Sequence, residues 1–335
     1  MQALQLKKYG GLDHVAFAEL PRPTPGPGEL LVRVHAVGLN PIDTLIPRGD
    51  FKPILKLRLP ATLGSDLAGV VVEVGSGVTR FKAGDAVYAS IFDTPHGSLA
   101  EFAVVPEQAA ALKPANLDFV QAASIPMVGL TAWQAMHERM QLRPGQKVFI
   151  PAGSGGIGTF AIQLARHLGA RTGTTTSTAN VELVRGLGAD EVVDYKQRPF
   201  EEVLRDYDAV LGTVRGDGLE KALRIVKPGS RVVSLVGPPD AAFARARGMH
   251  AVLQLVFGLL SRKIMGQARR RGASYAFHFV RPDGGQLAQI ASLLEAGAIR
   301  PVIDQVFPFL QAKQALAYLA QGRARGKVVV RLPVP

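Results

Sequence analysis

A glycine-rich turn caught between an apolar strand and a helix constrains this chain more than any other feature. Gly153-Ser154-Gly155-Gly156-Ile157-Gly158 fits the spacing GxGxxG, follows Val148-Phe149-Ile150 and precedes the helical run Phe160 to Leu168. In that spacing the first glycine permits a tight turn and the second lets the backbone approach a pyrophosphate. The third lets the helix pack close to the sheet. The start of the helix then offers unpaired N–H groups and a partial positive charge to phosphate. Gly153, Ser154, Gly155, Gly156, Ile157 and Gly158 are therefore candidate cofactor-binding residues. Glycine-rich turns are common, so the flanks carry the weight, and the rhythm continues beyond them. Strands are expected at Ala170 to Thr175, Glu191 to Val193, Asp208 to Leu211 and Arg231 to Val236, and helices at Val181 to Leu187, Phe200 to Leu204 and Leu219 to Ile225. Such alternation predicts an α/β fold with a doubly wound parallel sheet covered on both faces. Val236, closing the last of these strands, joins the cofactor-binding candidates.

The flanking regions read differently. Leu30 to Val37, Gly69 to Gly75 and Phe81 to Ala89 are short apolar runs cut by Gly and Pro, which predicts a β-rich barrel or folded-over sheet. The end reverts to this style, with Ile299 to Ile303 extended, a helix over Leu310 to Ala320 and a last strand Lys327 to Val330. At 335 residues the chain has room for about two domains. No cysteine is present, which excludes thiol catalysis, a disulfide scaffold and Cys-ligated metal. The formal charge of +12 suits anionic small molecules, nucleic acid or acidic membrane surfaces. The basic residues are spread out, however, and the densest run is only Arg269-Arg270-Arg271, so a nucleic-acid partner is disfavoured. No leader is legible, and the apolar stretch Ala251 to Leu260 is about half a membrane span and reads as a buried or interfacial helix. A cytoplasmic protein with no membrane partner is expected.

The end of the second strand bears on the choice of dinucleotide. An NAD site usually places a carboxylate there for the ribose hydroxyls. Here the residues are Gly173 to Asn180, rich in hydroxyls, and no carboxylate comes before Glu182. A carboxylate would repel a 2′-phosphate, so NADPH is favoured, with Arg171, Lys196 or Arg198 as the neighbouring cation.

Several segments in order carry a resemblance. Asn40-Pro41-Ile42-Asp43, Gly64-Ser65-Asp66-Leu67-Ala68-Gly69, Gly97 to Phe102, Ala122 to Pro126, Gly129 to Ala132, Gly186 to Asp190 and Ala324 to Lys327 make the chain similar to the zinc-free, quinone oxidoreductase-like branch of the medium-chain dehydrogenases/reductases. The resemblance implies a GroES-like catalytic domain over 1–124 and 298–335 and a Rossmann NADP(H)-binding domain over 125–297, with NADPH in the cleft and a homodimeric assembly. It implies hydride transfer to a quinone or to the C=C bond of an activated enone or enal. It places Asn40 and Thr131 near the nicotinamide, Ser177 and Tyr195 at the 2′-phosphate, and makes Lys327 a C-terminal basic contact to the cofactor. Two departures stand out: Ala179 replaces a lysine that many relatives carry, and Leu45 replaces a frequent tyrosine.

A zinc alcohol dehydrogenase polarises its substrate through Cys and His ligands. Asn40, Ser65 and Asp66 stand in the corresponding segments and the seven His are dispersed, so no metal site is expected. Asn40, Asp43 and Thr131 are the candidate catalytic, positioning residues, with capping of the following turn an equal reading for Asp43. His35 is expected in the core, His96 in a loop, and Tyr88 as a structural strand residue. Two other readings remain open: an NADPH-binding sensor or nucleic-acid-associated protein with little turnover, and an enoyl-thioester reductase.

Overall fold

A computed structural model describes residues 1–55 and 57–333. The chain forms two compact units, Met1–Leu130 with Arg281–Pro335, and Thr131–Val280. The first unit opens with β1 (Gln2–Leu6), β2 (Val15–Glu19), β3 (Glu29–Leu39), α1 (Pro41–Leu45), β4 (Ala61–Thr62) and β5 (Asp66–Val74). It continues through β6 (Ala86–Ser90), β7 (Phe102–Pro106), β8 (Ala110–Leu112) and α2 (Phe119–Ala123), and α3 (Pro126–Trp133) carries the chain onward. In the second unit β9 (Lys147–Ile150), α4 (Gly156–His167), β10 (Arg171–Thr176), α5 (Val181–Gly186) and β11 (Glu191–Asp194) come first. Then follow α6 (Phe200–Val203), β12 (Tyr207–Gly212), α7 (Gly218–Ala222), β13 (Val226–Ser234), α8 (Ala241–Ala246), α9 (Ala251–Arg270) and β14 (Ser274–Phe277). The chain returns to the first unit with α10 (Gly284–Glu295), β15 (Ile303–Pro308), α11 (Ala312–Ala320) and β16 (Lys327–Arg331).

The second unit holds one parallel sheet in the order β11-β10-β9-β12-β13-β14. The order reverses on either side of β9, the switch point of a doubly wound Rossmann sheet, and ligands bind beyond the strand C-termini there. Phe149, Tyr207, Val210, Val232 and Ile264 form its core. In the first unit a larger sheet runs β15-β16-β3-β5-β6-β8 with β7 also on β3, and β2-β1-β4 forms a second, smaller one. Leu30, Val32, Leu67, Val87, Val105 and Val330 are buried between its strands. The mixed architecture, GroES-like plus Rossmann, is the one expected.

Several sequence readings need correction. β13 begins at Val226 and ends at Ser234, so Val236 lies past the strand, where its N–H donates to Ser234 Oγ at 3.3 Å. Of the two readings of Ala251 to Leu260, buried or interfacial, the buried one falls: the stretch is the first half of a 20-residue helix, α9, with Val252, Leu255, Leu259 and Leu260 exposed. His35 is only half-buried: its ring lies 4.1 Å from that of Phe119, and burial, with Arg33 nearby, holds its pKa below the ordinary value. Tyr88 is structural, its buried hydroxyl donating to the Leu287 carbonyl at 2.6 Å. Among the described residues no helix is long and apolar enough to cross a membrane.

Candidate functional site

In the first unit, Asn-Pro-Ile-Asp starts α1 for simple reasons. Pro41 occupies the first helical position, where a missing N–H costs nothing, and the Asp43 carboxylate reaches back to the Asn40 N–H at 2.8 Å. The Asn40 side chain is thereby left for other work. Its Nδ2 donates to Asp66 Oδ2 at 2.9 Å, and its Oδ1 accepts from Lys327 Nζ at 2.6 Å. The second amide hydrogen has only a 3.4 Å contact with the Gly38 carbonyl. Asp66, at the start of β5, also accepts from the Met127 N–H at 3.1 Å, so it sits at the N-terminus of α3, where a carboxylate is favoured. Ser65 Oγ donates to the other Asp43 oxygen at 2.8 Å.

The result is a buried polar knot of Asn40, Asp43, Ser65, Asp66 and Lys327. Burial pushes the Asp43 carboxyl up to about 6, opposed by its bonds from Asn40 and Ser65. Burial also raises Asp66, although Lys327 opposes it, and burial lowers Lys327 against the pull of both carboxylates. Two carboxyls thus share one ammonium, with Lys327 Nζ 3.7 Å from Asp66 Oδ2. A buried charge in this position must be paired and hydrogen-bonded, and each of these is. Thr131 is buried on α3.

In the second unit, the glycines do what their spacing requires. A Cβ on Gly153 would fall 2.2 Å from Thr174 Oγ1, and one on Gly158 would fall 2.5 Å from the Ala152 carbonyl. On Gly155 a Cβ would meet only the Ala152 oxygen, at 3.4 Å, so that face is open. Gly155 is the N-cap of α4, and the N–H groups of Gly156, Ile157 and Gly158 have no acceptor within the helix. These residues fit a dinucleotide diphosphate.

Beside the turn, Ser154 Oγ accepts from Thr176 Oγ1 at 3.0 Å and from Asn180 Nδ2 at 3.3 Å, and Asn180 Nδ2 also reaches Ser177 Oγ at 3.2 Å. Asn180 Oδ1 is buried and has no hydrogen-bond partner among the described residues. Exposed Tyr195 lines a cavity of about 590 Å³ together with Lys196, Arg198 and Ala152. Arg171 begins β10, at the opposite end from Ser177, about 20 Å along the strand, and is no neighbour of this cluster. Sequence reasoning missed Asn180 as an acceptor and Asp194, which pairs with Thr176 across β10 and β11 and accepts from Thr178 Oγ1 at 2.6 Å. That bond, more than the neighbouring Lys196, holds the Asp194 carboxyl below its usual range. His96 lies in a loop, 3.4 Å from Glu29 Oε1.

A Rossmann sheet with a phosphate-ready turn, in a chain that also carries a GroES-like domain, defines a nicotinamide-dependent oxidoreductase. Two family models match: an alcohol dehydrogenase GroES-like domain over residues 26–115 and a zinc-binding dehydrogenase over residues 187–330. The chain belongs to the medium-chain dehydrogenase/reductase family. It is 36% identical to the mitochondrial NAD(P)H oxidoreductase RTN4IP1 of Danio rerio over 99% of this chain and 91% of that one. It is 34% identical to a chloroplastic NADPH-dependent alkenal/one oxidoreductase of Arabidopsis thaliana over 100% and 80%. The quinone oxidoreductase structure from Coxiella burnetii superposes with a TM-score of 0.84 at 28% identity, covering 99% of both chains. Despite the second model's name, the residues here do not fit zinc. The chain has no cysteine, and no group of three or more His, Asp or Glu able to hold a metal occurs among the described residues.

Proposed function

We propose that this enzyme uses NADPH to reduce a quinone or the C=C bond of an activated enone or enal. The observation that carries the cofactor is the hydroxyl- and amide-lined end of β10. Ser154, Thr176, Ser177 and Asn180 meet there with no carboxylate of their own strand. Tyr195, Lys196 and Arg198 on the neighbouring loop supply a ring and two cations for a 2′-phosphate, and the cations offset Asp194. The curated relative named above as NADPH-dependent supports the same choice.

The nicotinamide, when bound, supplies hydride. The N–H groups of Gly156 and Ile157 hold the diphosphate, and the α4 dipole favours its charge. Asn40 is the proposed donor to the oxygen that gains charge. Its amide is fixed by Lys327 on one side and Asp66 on the other, so no reorganisation is needed when that charge develops. Asp43 holds the Asn40 backbone, and Thr131 is a second positioning group near the reacting ring. Lys327 holds the Asn40 amide from behind, and its ammonium is a basic contact at the cofactor end of that cluster. Without donors for a Lewis acid, the substrates best suited are those already electron-poor, which quinones and enones are. A homodimer joined along the edge strand β14 is proposed on the same reading.

The test is spectrophotometric: oxidation of NADPH and of NADH with a panel of quinones, enals and enoyl thioesters. Preference for NADPH with turnover of quinones or enals is expected. Equal rates with NADH overturn the phosphate assignment, and activity confined to thioesters replaces the substrate class.

A further inference from the structure

Helix α9 has two sides of different character. Phe257, Ser261, Ile264 and Ala268 form its buried stripe, with Ile264 and Ala268 in the core of the second unit. On the other side Val252, Leu255, Leu259 and Leu260 are each more than half exposed, at 60%, 65%, 59% and 57%, and Val256 is 39% exposed. Exposed apolar residues at spacings of three and four form a continuous face, which is unusual for a protein surface.

The same face changes chemistry along its length. Seven residues on from Leu255 stands Arg262, and seven further Arg269. Val256 leads in the same way to Lys263 and Arg270. Seven residues make nearly two helical turns, so each of these rows stays on one side. The first half of the exposed face is therefore apolar and the second half basic, and Arg271 follows at the C-cap. From Ala241 to Pro282 the chain has eight Arg or Lys and no Asp or Glu. Glu220 on α7 binds Lys263 Nζ at 2.7 Å.

We propose that this face of α9 docks the protein onto an anionic lipid bilayer, lying in the plane of the surface with its apolar half among the acyl chains and its basic half on the headgroups. A helix of 20 residues is about 30 Å long, and its apolar half is far too short to span a membrane but sufficient to lie in the interface. A second copy of the chain is a poor occupant. An antiparallel two-fold contact could bury the two apolar halves against each other, but it would leave the basic half of each helix facing solvent with no carboxylate from the segment to meet it. An anionic lipid surface satisfies both halves at once, and the net charge of +12 draws the protein to it.

The test is sedimentation of the full-length protein with vesicles of phosphatidylcholine alone and with about a third phosphatidylglycerol, at low and high salt. Binding to the anionic vesicles only, weakened by salt, is expected. The double variant Leu255→Glu/Leu259→Glu is expected to lose at least about 10-fold in affinity. The triple variant Arg269→Gln/Arg270→Gln/Arg271→Gln should lose on the order of 100-fold, about fivefold per arginine. Dinucleotide binding, read by quenching of Trp133 fluorescence, should stay at the wild-type level in both variants, showing them folded. Absence of wild-type binding at low salt overturns the proposal. So does binding that the leucine variants leave intact, or equal binding to soluble polyglutamate, since charge alone would then explain it. A halved mass by light scattering in the leucine variants overturns it in favour of a subunit contact. Failure of the enzyme with every quinone and enone would leave the vesicle result standing, because the two readings use different residues.

Discussion

Replacing Asp43 by Asn tests the buried polar knot most directly. A carboxyl that titrates at about 6 in the folded protein and at 3.8 outside it favours folding only while protonated. Its contribution is fully present below 3.8 and is lost as pH rises through about 6, because the unfolded chain has by then released the proton more readily. Ionising the buried group therefore costs about 3 kcal/mol once pH lies above both values. An asparagine can keep the local geometry. Its Oδ1 accepts from the Asn40 N–H, and its Nδ2 donates to Ser65 Oγ, which now accepts. Urea unfolding followed by circular dichroism, wild type beside Asp43→Asn, measures the difference at a series of pH values. Between about pH 3 and pH 8 the gap should move by about 3 kcal/mol in favour of the variant, with the change centred between the two pKa values. A gap that stays constant across that range would refute the reasoning, since Asp43 would then titrate alike in folded and unfolded chains.

Two further outcomes follow from the cofactor turn. Gly158→Ala puts a Cβ 2.5 Å from the Ala152 carbonyl and should cost about 1–3 kcal/mol in thermal or urea stability. It should also weaken NADPH at least about 10-fold by fluorescence titration, because the turn must open to relieve the clash. Asn180→Asp sets a carboxylate beside Ser177, where the amide now donates. The ratio of kcat/KM for NADPH over NADH should fall at least about 10-fold through repulsion of the 2′-phosphate, and an unchanged ratio would place that phosphate elsewhere.

The parts legible in the sequence were those written in neighbouring residues. The turn Gly153 to Gly158 and the strand–helix alternation after it report local geometry, and the sheet follows from them. Asp43 is the instructive middle case. Its spacing from Asn40 admitted capping and catalysis equally, and the 2.8 Å bond to the Asn40 N–H shows the capping contact. What stayed hidden depends on distant pairing. Nothing local says that β16 lies antiparallel to β3 and brings Lys327 to Asn40, 287 residues earlier. Asp194 was invisible as a neighbour of Thr176 because strand register cannot be read from either strand alone. For α9 a signal did exist: the rows Leu255, Arg262, Arg269 and Val256, Lys263, Arg270 continue past the apolar run. Weighing only Ala251 to Leu260 as a block concealed it.

The strand that carries Lys327 follows every strand of the second unit in the chain and so is made after them. Until β16 emerges, β3 lacks one of its partners and Asp66 has no counter-ion, while every strand of the second unit is already available. The inserted Rossmann unit can therefore mature during synthesis before its host, which must wait until β16 has been made. A message truncated just before codon 327 would thus yield a protein with an intact nucleotide-binding half and a first unit left with two carboxylates it cannot bury.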